Sequence, residues 1–354
     1  MIATTNENDI NHQIELNIKA PFYCLRKAAR IMMRKQSGSI VNISSIMGRF
    51  GASGHTIYSA TKGALLSMTL SASKELGPHG IRVNAVAPGI IDTDGNVRDL
   101  SAHVSDISGA TMGDADLAKI AAIDLAELPM VEVERYGPCV ANVGKFICIG
   151  LNYSDHAAES NLAVPSEPVI FAKATSAISG PNDNIQIPRG SVATDWEVEL
   201  GVVIGKEAKY IDEANALDFV AGYCLINDIS ERDFQNKREG QWTKGKSADT
   251  FGPIGPWLVT RDEIPDPQNL SMYLEVNGTR MQDGSTKTMI FGVAHIVSYL
   301  SQFMSLQSGD IISTGTPPGV GMGIKPDPVY LSAGDKMELG IEGLGVQRQN
   351  VVQG

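Results

Sequence analysis

Three acidic residues stand where a cation could be held. In Asp195-Trp-Glu197-Val-Glu199-Leu-Gly-Val-Val-Ile, the period of two of a strand puts Glu197 and Glu199 on one face and Trp196, Val198 and Leu200 on the other. A pair of carboxylates on a strand is ordinarily its solvent side, but the VVIG run that follows belongs to a buried strand. A third acid, Asp228, ends another apolar run, VAGYCLIND. If the three converge, each pair at ~4 Å repels by about 4 kcal/mol at an effective dielectric of 20, which only protonation or a cation offsets. Ligation by oxygen alone, without His or Cys, favours Mg²⁺ or Mn²⁺, admits Ca²⁺ and disfavours zinc.

His156 and Glu159, in NYSDHAAES, lie at i and i+3 on one face of a short helix. A carboxylate beside an imidazole raises its basicity and fixes its tautomer, which suits activation of a water; the same pair on a surface is a plain ion contact. Lys246, in WTKGKSADTFGP, stands in a glycine-containing loop, where its ammonium either faces an anionic substrate or is solvated. His295, within FGVAHIVSYL, reads as a core histidine.

A second constellation precedes these. Tyr58-Ser-Ala-Thr-Lys62 sets a phenol and an ammonium one helical turn apart. The ammonium favours the phenolate and lowers the Tyr58 pKa towards that of a general acid/base, although a packed Tyr gives the same pattern. Asn17 in ELNIKAPF, Ser45 in NISSIMG, YSATKGA and VNAVAPGIIDT at 83–93 together resemble a short-chain dehydrogenase/reductase, and the spacings of 28, 13 and 4 match that family's catalytic tetrad. The resemblance covers residues 1–93. It implies a βαβ unit opened by TGxxxGxG ahead of Asn17, with an NAG motif later, where only 16 residues stand. Thr314 to Gly321 (TGTPPGVG) fits the letters, but its two prolines, and MGIKPDPVYL in place of a helix, remove the helix N-terminus that a pyrophosphate needs. The expectation is a vestigial tetrad of Asn17, Ser45, Tyr58 and Lys62 with no cofactor-binding residues and no use of NAD(P). A gene fusion or in-frame deletion accounts for such a remnant.

These residues need elements to hold them. The chain has 354 residues, enough for two domains, and its 43% hydrophobic and 19% charged content supports a sizeable core. With 36 Gly and 17 Pro, many short elements are expected rather than a helical bundle. A net charge of −11 makes nucleic acid and anionic membranes improbable partners. No apolar run approaches the ~18 residues of a membrane span. The polar opening from Met1 to Glu15 lacks the order of a signal peptide, and Cys24, Cys139, Cys148 and Cys224 show no CxxC spacing. A cytoplasmic enzyme is expected.

Charge is uneven: residues 1–93 carry a net +5 and residues 94–354 a net −16, as a domain boundary allows. Ile10 to Met32 recur at helical spacing, with Gly38 as the stop. Residues 39–44 read as a strand, 58–76 as a buried helix and 81–87 as a second strand, an α/β Rossmann-like pattern left incomplete. One short helix is expected over 114–130. After Gly144 come many strands, with turns such as PNDN, VNG, GMG and LSAGD and with helices near 212–221 and 292–305, a β-rich α+β domain.

CIGLNYSDHAAE, EPVIFAKATSAI, DWEVELGVVIG, AGYCLINDISERDFQ, WTKGKS and STGTPPGVG follow one another here and resemble the fumarylacetoacetate hydrolase family from about residue 94 to the C-terminus. The resemblance implies a rolled mixed β-sheet catalytic domain that forms a homodimer. It makes Glu197, Glu199 and Asp228 the ligands of Mg²⁺ (or Mn²⁺), His156 with Glu159 the water-activating pair and Lys246 the active-site lysine. Arg232, Gln235 and Thr316 come near substrate. The domains expected are a dehydrogenase fragment over 1–93, a truncated N-terminal hydrolase domain over 94–140 beginning at DTDGNVRDLS, and the catalytic domain over 141–354.

Within the family, GKSADTFGPIGPWLVT and VYLSAGDKMELGIEGLGVQRQ are most similar to 2,4-diketo-3-deoxy-L-rhamnonate and -fuconate hydrolases. Members called ureidoglycolate lyase look similar. Leu151 stands where some acylpyruvase and oxaloacetate-decarboxylase relatives have Arg, which speaks against those two activities. The expected reaction is hydrolytic cleavage of the C3–C4 bond of a small 2,4-diketo-3-deoxy sugar acid to pyruvate and a hydroxy acid, lactate for the rhamnonate skeleton. A dehydrogenase acting on the C4 hydroxyl makes such a diketo acid, so the fused fragment agrees with this substrate. The competing expectations are a dehydrogenase and a catalytically dead fusion.

Overall fold

Helical spacing from Ile10 to Met32 is realised as two helices, Glu7–Ile14 and Ala20–Lys35, joined by a π-helical turn over Glu15–Lys19. The computed structural model describes residues 6–44, 56–86, 97–124, 128–155 and 164–354. The chain divides into two units, Met1–Gly95 and Asn96–Gly354.

In the first unit the strand Gly38–Ile43 pairs in parallel with Ile81–Val86, and the helix Thr56–Leu76 connects them. Leu25, Ala72, Leu76, Ile81 and Val83 form its core. The other face of the first strand is open, with Val41 54% and Ile43 57% exposed. The helix stop expected at Gly38 is corrected: Gln36, at φ 52°, ends the helix. Gly38 serves a close approach instead, since a Cβ there would lie 2.4 Å from the Met32 sulfur.

The second unit opens with Val97–Arg98 paired to Met130–Val131 and with the helix Asp114–Ala121. The helix ends at Ala121, short of the expected 114–130, and the far end of that stretch is extended where Met130 pairs with Arg98. Two larger sheets follow. The first has six strands in the spatial order Val259–Thr260, Val220–Asn227, Val198–Ile204, Ile311–Ser313, Phe146–Gly150 and Val169–Lys173, antiparallel except where Ile311–Ser313 meets Phe146–Gly150. The second runs Thr279–Ser285, Ser271–Val276, Lys336–Ile341, Gly345–Gln353 and Ile185–Ile187.

Leu200, Val202, Tyr223, Leu225 and Ile312 of the first sheet share one core with Leu274, Leu339 and Val351 of the second. The opposite face of the first sheet packs Cys148, Val203, Cys224, Ile226 and Ile311 around Met112 and Val140. Covered on both faces, Val198–Ile204 and Val220–Asn227 are buried at every position, hence their unbroken apolar runs. The helices expected near 212–221 and 292–305 are a 3₁₀ helix, Glu213–Phe219, and an α-helix, Val293–Ser301. No helix among the described residues is long and apolar enough to cross a membrane.

Candidate active site

Antiparallel register brings the acids together. Val198 pairs with Asn227, so the start of one buried strand lies beside the end of the next. Glu197 and Asp228 flank that pair, and the Asp228 N–H donates to the Glu197 carbonyl at 2.9 Å. Glu199 is the second residue of its strand. One oxygen from each of Glu197, Glu199 and Asp228 lies within 4.8 Å of the others, and all three side chains are buried. Trp196, Val198 and Leu200 turn the other way into the core.

Cations stand around two of the three. Lys246 Nζ, 2% exposed, donates to Glu197 Oε2 at 2.7 Å and to Asp228 Oδ2 at 2.8 Å. Of the two alternatives for Lys246, the solvated one is therefore excluded. Lys246 closes a one-turn helix, Thr243–Lys246, rather than lying in an open loop. Arg232 opens the helix Arg232–Asn236; its Nε donates to Asp195 Oδ2 at 2.8 Å, one Nη to Glu197 Oε1 at 2.7 Å and the other to Gln235 Oε1 at 3.1 Å. Lys173, at the end of an edge strand, pairs with Asp228 Oδ1.

Glu199 is different. Among the described residues it has no ion pair; Ser313 Oγ donates to it at 2.6 Å and the Gly315 N–H at 2.8 Å. Burial, and then the Asp228 and Glu197 charges, push its carboxyl well above the usual range. Burial also works against Glu197, but Arg232 and Lys246 outweigh it and hold that carboxyl well below the range. The buried cluster sets the four carboxylates of Asp195, Glu197, Glu199 and Asp228 against the three cations of Lys173, Arg232 and Lys246. A hard divalent cation fits this set: the three converging donors are all carboxylate oxygens, and Glu199 is the one of them with no cation beside it among the described residues.

Beside the acids is a cavity of about 130 Å³. Glu197, Glu199, Arg232, Gln235, Lys246 and Thr316 all line it. Thr316 is fixed by donating to the Val198 carbonyl and accepting from Gln282. Phe171 and Trp242 line this cavity and also a wider, open groove of about 800 Å³ along the sheet edge.

His156 and Glu159 lie outside the described residues, as does Ser45 of the dehydrogenase tetrad. Of the rest of that tetrad, buried Asn17 donates to Gln13 Oε1 at 2.7 Å and Thr61 Oγ1 at 3.3 Å. Lys62 Nζ donates to the Ile43 carbonyl at 3.2 Å and sits 5.6 Å from the centre of the Tyr58 ring. The segment Thr314 to Gly321 leads from a strand to a 3₁₀ turn, Gly321–Gly323, and its Gly315 N–H serves Glu199. His295 is corrected: it is 39% exposed, bonded to Glu213 and stacked between Phe291 and Tyr299, because the helix turns that face outward.

Sequence reasoning passed over Lys173 and Asp195. The Asp195 carboxylate accepts from Arg232 and from the N–H groups of Trp196, Gly321 and Met322. The available signal was a polar residue closing an apolar strand in FAKAT and an acid just ahead of one in DWEVE.

The family profile described as fumarylacetoacetate (FAA) hydrolase C-terminal matches residues 145–352, and that of short chain dehydrogenase matches residues 1–102. A hydrolase-named protein of Burkholderia lata is 65% identical over 264 residues, covering 74% of this chain and 94% of that protein. The fumarylacetoacetate hydrolase of Exiguobacterium antarcticum is 37% identical, with a TM-score of 0.65, covering 74% of this chain and 93% of that one. The 2-hydroxyhepta-2,4-diene-1,7-dioate isomerase of Mycobacterium marinum is 39% identical, with a TM-score of 0.52, covering 65% and 79%.

Proposed function

This chain belongs to the fumarylacetoacetate hydrolase family and carries a short-chain dehydrogenase fragment ahead of it; on that premise we propose that it hydrolyses the C3–C4 bond of a 2,4-diketo-3-deoxy sugar acid, giving pyruvate and a hydroxy acid. The observation that carries this reading is the convergence of Glu197, Glu199 and Asp228 beside a cavity that also presents Arg232 and Lys246. The hydrolase name of the 65% identical relative supports hydrolysis.

Glu197, Glu199 and Asp228 would hold Mg²⁺ or Mn²⁺, which would supply Lewis acidity to the substrate's carboxylate and 2-oxo oxygens and offset the charge that develops as C3–C4 breaks. Two of the three Lys246 donors are committed to Glu197 and Asp228, which leaves the third for the enolate oxygen. Arg232, braced by Asp195 and Glu197, orients the substrate carboxylate together with Gln235 and Thr316. His156, steadied by Glu159, takes a proton from the water that attacks C4. The C4 carbonyl becomes the carboxylate of the hydroxy acid, lactate for a rhamnonate skeleton, and C3 is protonated to the methyl of pyruvate. The working form is a homodimer, which light scattering of the purified chain checks, and it needs no nucleic acid, membrane or NAD(P).

The test is pyruvate release from a 2,4-diketo-3-deoxy acid with Mg²⁺. Release that a chelator abolishes and Glu199→Ala lacks supports the reading. Substrate isomerisation without pyruvate would favour the activity named for the Mycobacterium marinum structure. Glyoxylate release from ureidoglycolate would favour the lyase alternative, and pyruvate only from simple acylpyruvates or oxaloacetate the acylpyruvase and decarboxylase one. No turnover by folded protein would mean a dead fusion.

A further inference from the structure

The cavity has two chemically distinct ends. Arg232 and Lys246 stand at one; Phe171, Trp242 and, next to Gly150 in the chain, Leu151 form the other. They meet at Phe171, whose ring centre lies 5.1 Å from the Lys246 ammonium. Trp242 closes the apolar end, packing against Phe171 with ring centres 5.3 Å apart at 64°. The indole also lies against Gly150, where a Cβ would come within 2.5 Å of the ring. The absence of a side chain at position 150 is therefore what lets Trp242 reach this depth.

No cation stands at that end among the described lining residues. A distal carboxylate placed against this wall loses its water and gains no partner, whereas a methyl group gains by burial. The space is small, about 130 Å³ against about 800 Å³ for the open groove that shares Phe171 and Trp242 with it.

We propose that the wall of Leu151, Phe171 and Trp242 sets the substrate class: a short 2-oxo acid with its one carboxylate at the charged end and a methyl-terminated tail on Trp242, dicarboxylates being rejected. The inference rests on the proposed activity for the reaction that follows, and its binding preference is measured separately. A six-carbon diketo acid ending in a methyl group meets this description.

The probes are 2-oxopentanoate and 2-oxoglutarate, which share a five-carbon 2-oxo acid skeleton and differ in a terminal methyl or carboxylate. Neither has the second oxo group that C3–C4 cleavage needs, so both report binding alone. Titration calorimetry on the full chain with Mg²⁺ is expected to show 2-oxopentanoate binding at least ~10-fold tighter, about 1.4 kcal/mol. Trp242→Phe keeps that ratio, and Trp242→Arg shifts it at least ~10-fold towards 2-oxoglutarate; Leu151→Lys does the same should Trp242→Arg fail to fold. Equal or tighter wild-type binding of 2-oxoglutarate, no binding of 2-oxopentanoate, or an unchanged ratio in the folded cationic variant overturns the inference. A wild-type chain that keeps the ratio but releases no pyruvate from any 2,4-diketo acid refutes the proposed reaction and leaves the wall's selectivity standing.

Discussion

Lys173 and Asp228 form an ion pair in which neither side chain is exposed at all, and the same ammonium donates to the Ile229 carbonyl at 3.1 Å. Asp228 is thus held between two lysines, Lys173 on one oxygen and Lys246 on the other. Two cations on one carboxylate compensate for burial of the acid cluster without a metal, and they fix which way Asp228 points.

Lys173→Met tests that compensation. Removing one partner of a buried pair costs about 3–5 kcal/mol, because the remaining charge is left in a low dielectric. Urea unfolding of the chelator-treated variant should show this loss. Mg²⁺ should recover more stability in the variant than in the wild type, since a bound cation takes over part of the missing charge. Equal stability of the two proteins in chelator would show that Lys173 is dispensable.

Glu199→Gln separates metal binding from folding. The carbonyl oxygen of Gln can still accept from Ser313 and Gly315, which now donate to Glu199 at 2.6 and 2.8 Å. Stability in chelator should therefore stay within about 1 kcal/mol of wild type. Mn²⁺ affinity, read by electron paramagnetic resonance, should fall at least ~10-fold, about 1.4 kcal/mol, and pyruvate release should be lost with it. Unchanged Mn²⁺ binding would remove Glu199 from the ligand set.

What could be read from the sequence was whatever a strand encodes locally. The two-residue period put Glu197 and Glu199 on one side and Trp196, Val198 and Leu200 on the other, where they are found. The meeting of Glu197 with Asp228 depends on the pairing of Val198 with Asn227, a non-local register that no local pattern contains. Lys173 was missed for the same reason: it reaches Asp228 across 55 residues of chain. His295 was misassigned because its helix is apolar overall yet has one outward face, where the His295 ring stacks between Phe291 and Tyr299 and Phe303 meets Tyr299 edge-on. The dehydrogenase fragment was legible as a motif, but a motif does not show what each side chain touches.

Asp195→Asn addresses substrate orientation. Asp195 Oδ2 accepts from Arg232 Nε at 2.8 Å and from the Met322 N–H at 3.0 Å, while Oδ1 accepts from Gly321 at 2.7 Å. It therefore fixes together Arg232 and Met322, both of which line the cavity. Asn keeps the shape, but its NH2 faces donors in either orientation, Arg232 and Met322 in one and Trp196 and Gly321 in the other. In the proposed reaction Arg232 holds rather than transforms the substrate, so the loss should fall mainly on KM, with kcat/KM down ~10-fold or more and kcat changed far less. A fall in kcat at constant KM would place Asp195 in the chemical step.

Tyr58→Phe and Lys62→Met test whether the first unit takes part in the chemistry. Among its described residues the sheet has two strands, Gly38–Ile43 and Ile81–Val86, too few to form the crevice in which doubly wound sheets hold a dinucleotide. Lys62 is engaged with the Ile43 carbonyl and the Tyr58 ring, and Asn17 with Gln13 and Thr61, so the tetrad residues that are described have local partners. Both substitutions should leave metal-dependent pyruvate release within ~2-fold of wild type, which is less than ~0.5 kcal/mol. NADH fluorescence should show no saturable enhancement with wild type or variants. Saturable NADH binding that Lys62→Met weakens would restore a redox role to this unit and would require a cofactor site outside the two-stranded sheet.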